Sequence, residues 1–192
     1  MDKKLNHLLW VEKIKLTQYI FNLTGQLSEK QLEFIPPGGY WSIRQDLEYL
    51  RFIDSLMQFS FPLSVSVSSI LPLKELDEGD IELDMERLYN LYPGPLLPGN
   101  LGTIEVEKAS QLLLDGFSKE MRAMFESWKK ALENAEKYLS KLEIGDCKKK
   151  RFFSVLGIFS IPAGIDLHTV YSSHFFLEKI KKAMEHSDFP KN

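Results

Sequence analysis

Two histidines near the end of the chain are the first residues whose spacing suggests metal chemistry. His168 and His174 lie six residues apart in LHTVYSSHFFLEKI, a segment with the apolar spacing of a helix. Because a helix turns by about 100° per residue, the two imidazoles point to roughly opposite sides and cannot both bind one ion. His174 and Glu178, four residues apart, share one face. An imidazole and a carboxylate together are a usable ligand pair for zinc.

Two aspartates in the segment YWSIRQDLEYLRFIDSLM could do acid–base chemistry. Asp46 and Asp54 fall on or beside the apolar stripe of this segment. A carboxylate buried there must be paired or protonated. For Asp54 we expect a structural role, in which it pairs with a lysine or an arginine or points into water at the end of the bundle. For Asp46 two interpretations stay open, a similar ion pair and a carboxylate that acts in a central pocket.

Several other chemistries are disfavoured by missing motifs. The sequence contains no E-x-x-H, no G-x-x-x-x-G-K and no G-x-S-x-G. A di-iron bundle, a phosphate-binding glycine loop and a nucleophile elbow are therefore not expected. The single cysteine, Cys147, excludes an internal disulfide and a four-cysteine zinc site.

The charge and hydropathy of the chain limit the classes of binding partner that we expect. The net charge of −3 argues against general nucleic-acid binding. The N-terminal residues MDKKLNHLLWVEK lack the features of a signal peptide, and FPLSVSVSSILPL is too short and too rich in serine to span a bilayer. These observations predict a cytoplasmic protein without nucleic-acid or membrane partners.

The residues above must be positioned by helices, because apolar residues recur at three and four positions in four long segments. The predicted helices run from Leu5 to Thr24, from Ser42 to Pro62, from Leu114 to Leu142 and from Asp166 to His186. Ser42 and Gln45 form a capping box at the start of the second helix. A long proline-rich crossover joins the second helix to the third, and its segment DMERLYNLY is predicted to form a short helix. The later segment FFSVLGIFSIPAG is expected to be an apolar connection that packs over one end of the bundle. We predict an all-α four-helix bundle that forms one domain over residues 1–192.

The order of these signals resembles the DinB/YfiT-like superfamily over nearly the whole chain. The resemblance is carried by QLSEKQLEFIPPGGYWSIRQDLEYL with its W-S-I helix start, by the proline-rich crossover, and by the last helix ending in LEKI. It implies a DinB-like four-helix bundle. Metal-binding members use three histidines, one on the second helix and two that are four residues apart on the last. Such a metal acidifies a bound water or thiol, and members include thiol-cofactor-dependent transferases and an isomerase.

This chain departs from that ligand pattern. The second-helix position is Tyr49, and the neighbouring Asp46 is the other candidate for the pocket. Aligning LEKI with the family's ending puts Ser172 and Phe176 at the two histidine positions, so that all three ligands are lost. Aligning by burial instead keeps His174, with Val170 or Glu178 as its partner four residues away.

Two functions follow from these alignments. The first is a small-molecule binding or interaction protein with a degenerate metal site, and this is the interpretation that we favour. The second is a divergent metal-dependent transferase or hydrolase, in which His174 and Glu178, with Tyr49 or Asp46, hold a divalent ion such as zinc or nickel. Whether the chain is an enzyme stays open. A homodimer is also predicted, since the first helix and residues 152–162 have a surplus of apolar side chains. The homodimer is compatible with either of the two functions.

Overall fold

The protein is described here by a computed structural model. The structure describes residues 3–91, 118–142, 144–154, 157–167 and 172–191. His168 and Val170 lie outside the described residues. Residues 92–117 do so as well, and they include part of the proline-rich crossover and the predicted start of the third helix at Leu114.

The described residues are mostly helical, with one small antiparallel strand pair. The α-helices are α1 (Lys3–Thr24), α2 (Glu29–Leu32), α3 (Ile43–Ser68), α4 (Glu78–Leu91), α5 (Lys119–Leu139), α6 (Ile144–Lys149), α7 (Ile161–Ile165) and α8 (Ser172–Met184). The strands are β1 (Arg151–Ser154) and β2 (Gly157–Ser160). The predominance of helix among the described residues confirms the predicted all-α class. None of the helices in the described part of the chain combines the length and the apolar character that crossing a bilayer requires.

Local signals explain several helix ends. The predicted capping box is present at α3, where the backbone N–H of Ser42 donates to Gln45 Oε1 at 2.9 Å and the Ser42 hydroxyl accepts from the Gln45 backbone N–H. At α5 the Ser118 hydroxyl is the cap, and it accepts a hydrogen bond from the backbone N–H of Met121. Gly38 has a φ of 77°, which is a backbone conformation that glycine adopts without strain, and it turns the chain between α2 and α3.

The prediction that Pro62 ends the second helix is wrong, because α3 continues through Pro62 to Ser68. Proline removes one hydrogen bond from a helix, but packing on the adjacent strand holds this one together. The buried ring of Phe61 stacks on Phe152 of β1 with centroids 4.6 Å apart. About two turns later, the Ser68 hydroxyl accepts a 2.8 Å hydrogen bond from the backbone N–H of Arg151.

The segment after α6 is also more ordered than predicted. In place of an irregular apolar connection, β1 and β2 form a hairpin that pairs Arg151 with Ser160 and Ser154 with Gly157. Each strand has only four residues, which is too short for a clear alternation of apolar and polar side chains in the sequence. The last helix was predicted from Asp166, whereas the described helix begins at Ser172; residues 168–171 lie outside the described residues.

One apolar core joins α1, α3, α5 and α8. Its centre contains Phe21 of α1, which meets Phe125 and Trp128 of α5 edge-on at 4.5 and 5.0 Å between ring centroids. Other buried members include Leu16, Ile20, Leu47, Leu50, Met57, Leu132, Leu177 and Ile180.

The surplus of apolar surface lies on α3, and this corrects the expectation that it lies on the first helix. Large apolar side chains of α3 stay exposed at spacings of three and four residues, and they are Tyr49, Phe52, Leu56, Phe59 and Leu63. We call these five residues the α3 outer face. On α1, no large hydrophobic side chain is exposed among those that the structure describes, from Leu9 onward. In the hairpin, Ile158 is exposed, as the prediction for residues 152–162 expects.

Candidate functional site

An ion pair joins the start of α3 to the middle of α8. Asp46 lies in the first turn of α3 and is buried, and its Oδ1 is 2.6 Å from Lys179 Nζ. A carboxylate in this position interacts favourably with the positive end of the helix dipole. Burial raises the pKa of the Asp46 carboxyl, while Lys179 opposes that rise by stabilising the charged form. The structure thus places Asp46 in an ion pair at the edge of the core.

Aromatic rings surround this ion pair. Trp41, Tyr49 and Phe176, which we call the aromatic cluster, lie with ring centroids 5.0 Å (Trp41 to Tyr49), 5.4 Å (Tyr49 to Phe176) and 6.3 Å (Trp41 to Phe176) apart. The Lys179 ammonium is 5.0 Å from the Trp41 centroid and 5.6 Å from that of Phe176. Both distances are within cation–π range. Trp41 and Tyr49 are 37% and 40% exposed, so the cluster is open to solvent.

His174 occupies a different side of α8 from Phe176. The two residues are two positions apart, which corresponds to about 200° of helix rotation. His174 is buried, and its Nε2 has no hydrogen-bond partner among the residues that the structure describes. Burial lowers the pKa of the imidazole, and the nearby Glu178 carboxylate opposes that change. Within the described part of the chain, the ring contacts of Tyr49 go to Trp41 and Phe176, and none goes to His174.

Glu178 is close enough to His174 to act on its charge, but it is engaged elsewhere. Its Oε1 accepts a 3.2 Å hydrogen bond from Lys181 Nζ, and the Lys181 ammonium lies 5.3 Å from the ring centroid of Tyr19 on α1. The pair of His174 and Glu178 is therefore on the α1 side of α8, while Tyr49 and Asp46 are on α3. Among the described residues, no group of three or more His, Cys, Asp or Glu side chains could hold a metal ion.

A second polar cluster lies in the core and was not predicted as a unit. Lys13 Nζ of α1 is 2.6 Å from Asp54 Oδ2 of α3 and donates to the Ser173 hydroxyl of α8 at 2.6 Å. The indole N–H of Trp128 on α5 also donates to Asp54 Oδ2. Lys13 and Asp54 are fully buried. The cluster links all four long helices of the core.

The expected partner of Asp54 is thus found, and it is Lys13. Burial lowers the pKa of the lysine and raises the pKa of the aspartate, and the attraction between them opposes both changes. Asp54 Oδ1 has no hydrogen-bond partner. A signal for Lys13 was present in the sequence, because it continues the helical stripe of Leu9, Leu16 and Ile20. A cation at a core position implies a buried anion elsewhere.

Comparisons with known proteins identify no relative of this chain. No protein-family model, no curated protein and no solved structure matches the chain. The function must therefore be argued from the residues of the site.

Proposed function

We propose that this protein is a DinB-like four-helix bundle that lacks a working three-histidine metal centre and binds a small molecule at the aromatic cluster. The observation that carries the proposal is the contact between the rings of Tyr49 and Phe176. We also propose a cytoplasmic location, in keeping with the expectation from the sequence.

The contact supports one of the two alignments with the superfamily. Ligands of one metal ion must converge on one point. Aligned at LEKI, the ligand positions are 49, 172 and 176, and the side chains at 49 and 176 do converge. In the other alignment the ligand position is 174, which lies about 200° around the helix from 176.

The side chains at these three positions suit an organic ligand better than an ion. Phe176 has no lone pair for a metal. The Ser172 hydroxyl donates a 2.9 Å hydrogen bond to the Leu167 carbonyl oxygen. Tyr49 uses its ring faces and edges against Trp41 and Phe176. Small-molecule sites are lined mainly by apolar and aromatic side chains together with a few polar groups, and the aromatic cluster with Asp46 and Lys179 has this composition.

Metal analysis tests this proposal. Untagged protein is incubated with zinc, nickel or manganese, desalted, and analysed for metal per chain. We expect well under one ion per chain. About one tightly held ion per chain would contradict the proposal. An ion that survives His174→Ala would mean that the metal centre lies at another place, and an ion that is lost in that variant would favour the second candidate below.

A second candidate function follows from the unpartnered Nε2 of His174. A buried neutral imidazole with a free nitrogen can bind a divalent ion, and Glu178 could supply an oxygen ligand. The protein would then be a divergent metal-dependent transferase or hydrolase. In that case His174→Ala should remove about one bound ion per chain and leave the helices folded. Unchanged metal content in that variant would exclude the assignment.

We also propose that the chain forms a homodimer through the α3 outer face. The five side chains of this face together expose roughly 600 Å² of surface, if each fully exposed side chain has a surface of ~200 Å². A standard protein interface buries ~800 Å² on each partner. No charged residue occurs between Asp54 and Lys74, so this half of α3 can be buried without enclosing an ion. The dimer is compatible with either of the two functions above.

A further inference from the structure

We infer that the aromatic cluster with Asp46 is a binding site for a small organic cation with a methylated ammonium group, and that Lys179 occupies this site in the free protein. This inference rests on the proposed function, because it names the ligand class of the same site.

The geometry already holds a cation. Lys179 Nζ lies over the seam between Trp41 and Phe176, whose ring planes are only 16° from parallel. The negative faces of two rings therefore act on one ammonium group. Tyr49 contacts both rings, at 5.0 and 5.4 Å between centroids, and so holds the two ring planes in place.

The charge of the site requires a positive group there. Asp46 is buried, and its Oδ1 accepts a 2.6 Å hydrogen bond from Lys179 Nζ. A buried carboxylate without a cation beside it would lose most of its solvation and would take up a proton. Any ligand that displaces Lys179 must therefore bring its own positive charge.

The chemistry of the rings selects the kind of cation. The Lys179 ammonium has three N–H donors, of which one binds Asp46 Oδ1, and the faces of Trp41 and Phe176 offer no lone pair to accept the others. A methylated ammonium has few or no donors to satisfy and presents a large apolar surface to the rings. Cages of aromatic side chains recognise such groups through cation–π attraction and desolvation. The site therefore suits a methylated ammonium better than a primary amine.

Lys179 can leave the site without disturbing the core. Its side chain is 32% exposed, so the ammonium can rotate into water while its stem stays on α8. A tethered group has a high effective concentration at its own site, and it competes with a free ligand. Removal of the Lys179 charge should therefore increase the affinity for a free cation.

The test uses the full chain with choline as the charged probe and its uncharged carbon isostere, in which a tert-butyl group replaces trimethylammonium. Binding is measured by titration calorimetry and by tryptophan fluorescence, to which Trp10 and Trp128 contribute along with Trp41, at constant ionic strength. We expect Lys179→Met to bind choline at least about tenfold more tightly than the unmodified protein, because the competing ammonium is gone. It should bind the isostere at least about tenfold more weakly than choline, because Asp46 and the rings select positive charge.

Two further variants keep the test decisive. Lys179→Gln is the second way to remove the charge if the methionine variant does not fold, as judged by circular dichroism. Adding Asp46→Asn or Trp41→Leu to the Lys179→Met background should each abolish choline binding. Choline binding that persists in both combined variants would overturn the inference, because the probe would be bound elsewhere.

The remaining outcomes separate this inference from the proposed function. Equal affinity for choline and the isostere, lost in Trp41→Leu, would overturn the cation selectivity and leave a small-molecule site in place. No binding of either probe to both lysine variants would also overturn the inference. The proposed function itself is contradicted only by the metal analysis, if about one tightly held ion per chain is found there.

Discussion

Tyr49 of α3 and Phe176 of α8 lie with their ring centroids 5.4 Å apart, at the edge of the core where α3 begins. This contact sets the rotation of α8 relative to α3, and it turns His174 away from Tyr49. Tyr49 thus belongs to an aromatic cluster in which Trp41 and Phe176 contact the ammonium of Lys179, the ion-pair partner of Asp46.

Imidazoles at positions 49, 172 and 176 should create a metal site. In the variant Tyr49→His with Ser172→His and Phe176→His, three imidazoles converge at one end of the core, and we expect about one zinc ion per chain in elemental analysis. The matched control carries Tyr49→His and Glu178→His and uses the native His174, and it should bind no zinc tightly. The reverse result would mean that the alignment by burial is the correct one.

Removal of Lys13 should destabilise the protein strongly. The variant Lys13→Met leaves the buried Asp54 carboxylate without its cation, which typically costs about 3–5 kcal/mol in the free energy of unfolding. Urea unfolding at neutral pH measures this loss. The control Lys181→Met removes a partly exposed cation, and it should change the free energy of unfolding by less than about 1 kcal/mol. Similar losses in the two variants would refute the role of the Lys13 ion pair.

His174 should make stability depend on pH below neutrality. Its pKa is lowered in the folded protein from the ordinary value of 6.5, so between the two pKa values the unfolded chain binds the proton that the folded protein does not. Stability is therefore complete above about pH 6.5 and falls as the pH decreases toward the pKa of the folded protein. The difference in unfolding free energy between pH about 7.5 and 5.5 should be smaller in His174→Leu. An identical pH dependence in both proteins would contradict the assignment.

Placing a charge on the α3 outer face should break the homodimer. Phe59→Glu puts a carboxylate in the middle of the proposed interface, where it would be buried without a partner. Sedimentation equilibrium at micromolar concentration should show a dimer for the unmodified protein and a monomer for this variant. The control Lys130→Glu changes the exposed polar side of α5 and should leave the dimer intact. A monomeric unmodified protein would refute the proposal, and would leave another partner, or another segment of the chain, to cover this face.

Gly164 should not tolerate a side chain. A Cβ at this position would lie 2.5 Å from the Phe152 side chain, and such overpacking typically costs about 1–3 kcal/mol. The control is Gly145→Ala in α6, where a Cβ would meet nothing within 4 Å. It should be neutral or stabilise the protein by up to about 1 kcal/mol, since alanine favours a helix. Thermal or urea unfolding distinguishes the two variants.

The sequence by itself determined the features that depend on neighbouring residues. The capping box of Ser42 and Gln45 and the periodic stripes of α1, α3, α5 and α8 act over a few residues, and each is visible in the chain. The need for a cation beside Asp54 was also predictable, because a buried carboxylate costs too much unpaired.

Only the tertiary structure decided which distant residues meet. It selected Lys13 as the partner of Asp54, carried α3 through Pro62 by packing Phe61 on Phe152, and paired two short strands that have no clear pattern of their own. It also chose which apolar stripe of α3 stays exposed. The physical reason is that these outcomes depend on the rotation and packing of whole helices, and many residues far apart in the chain contribute to that packing at once.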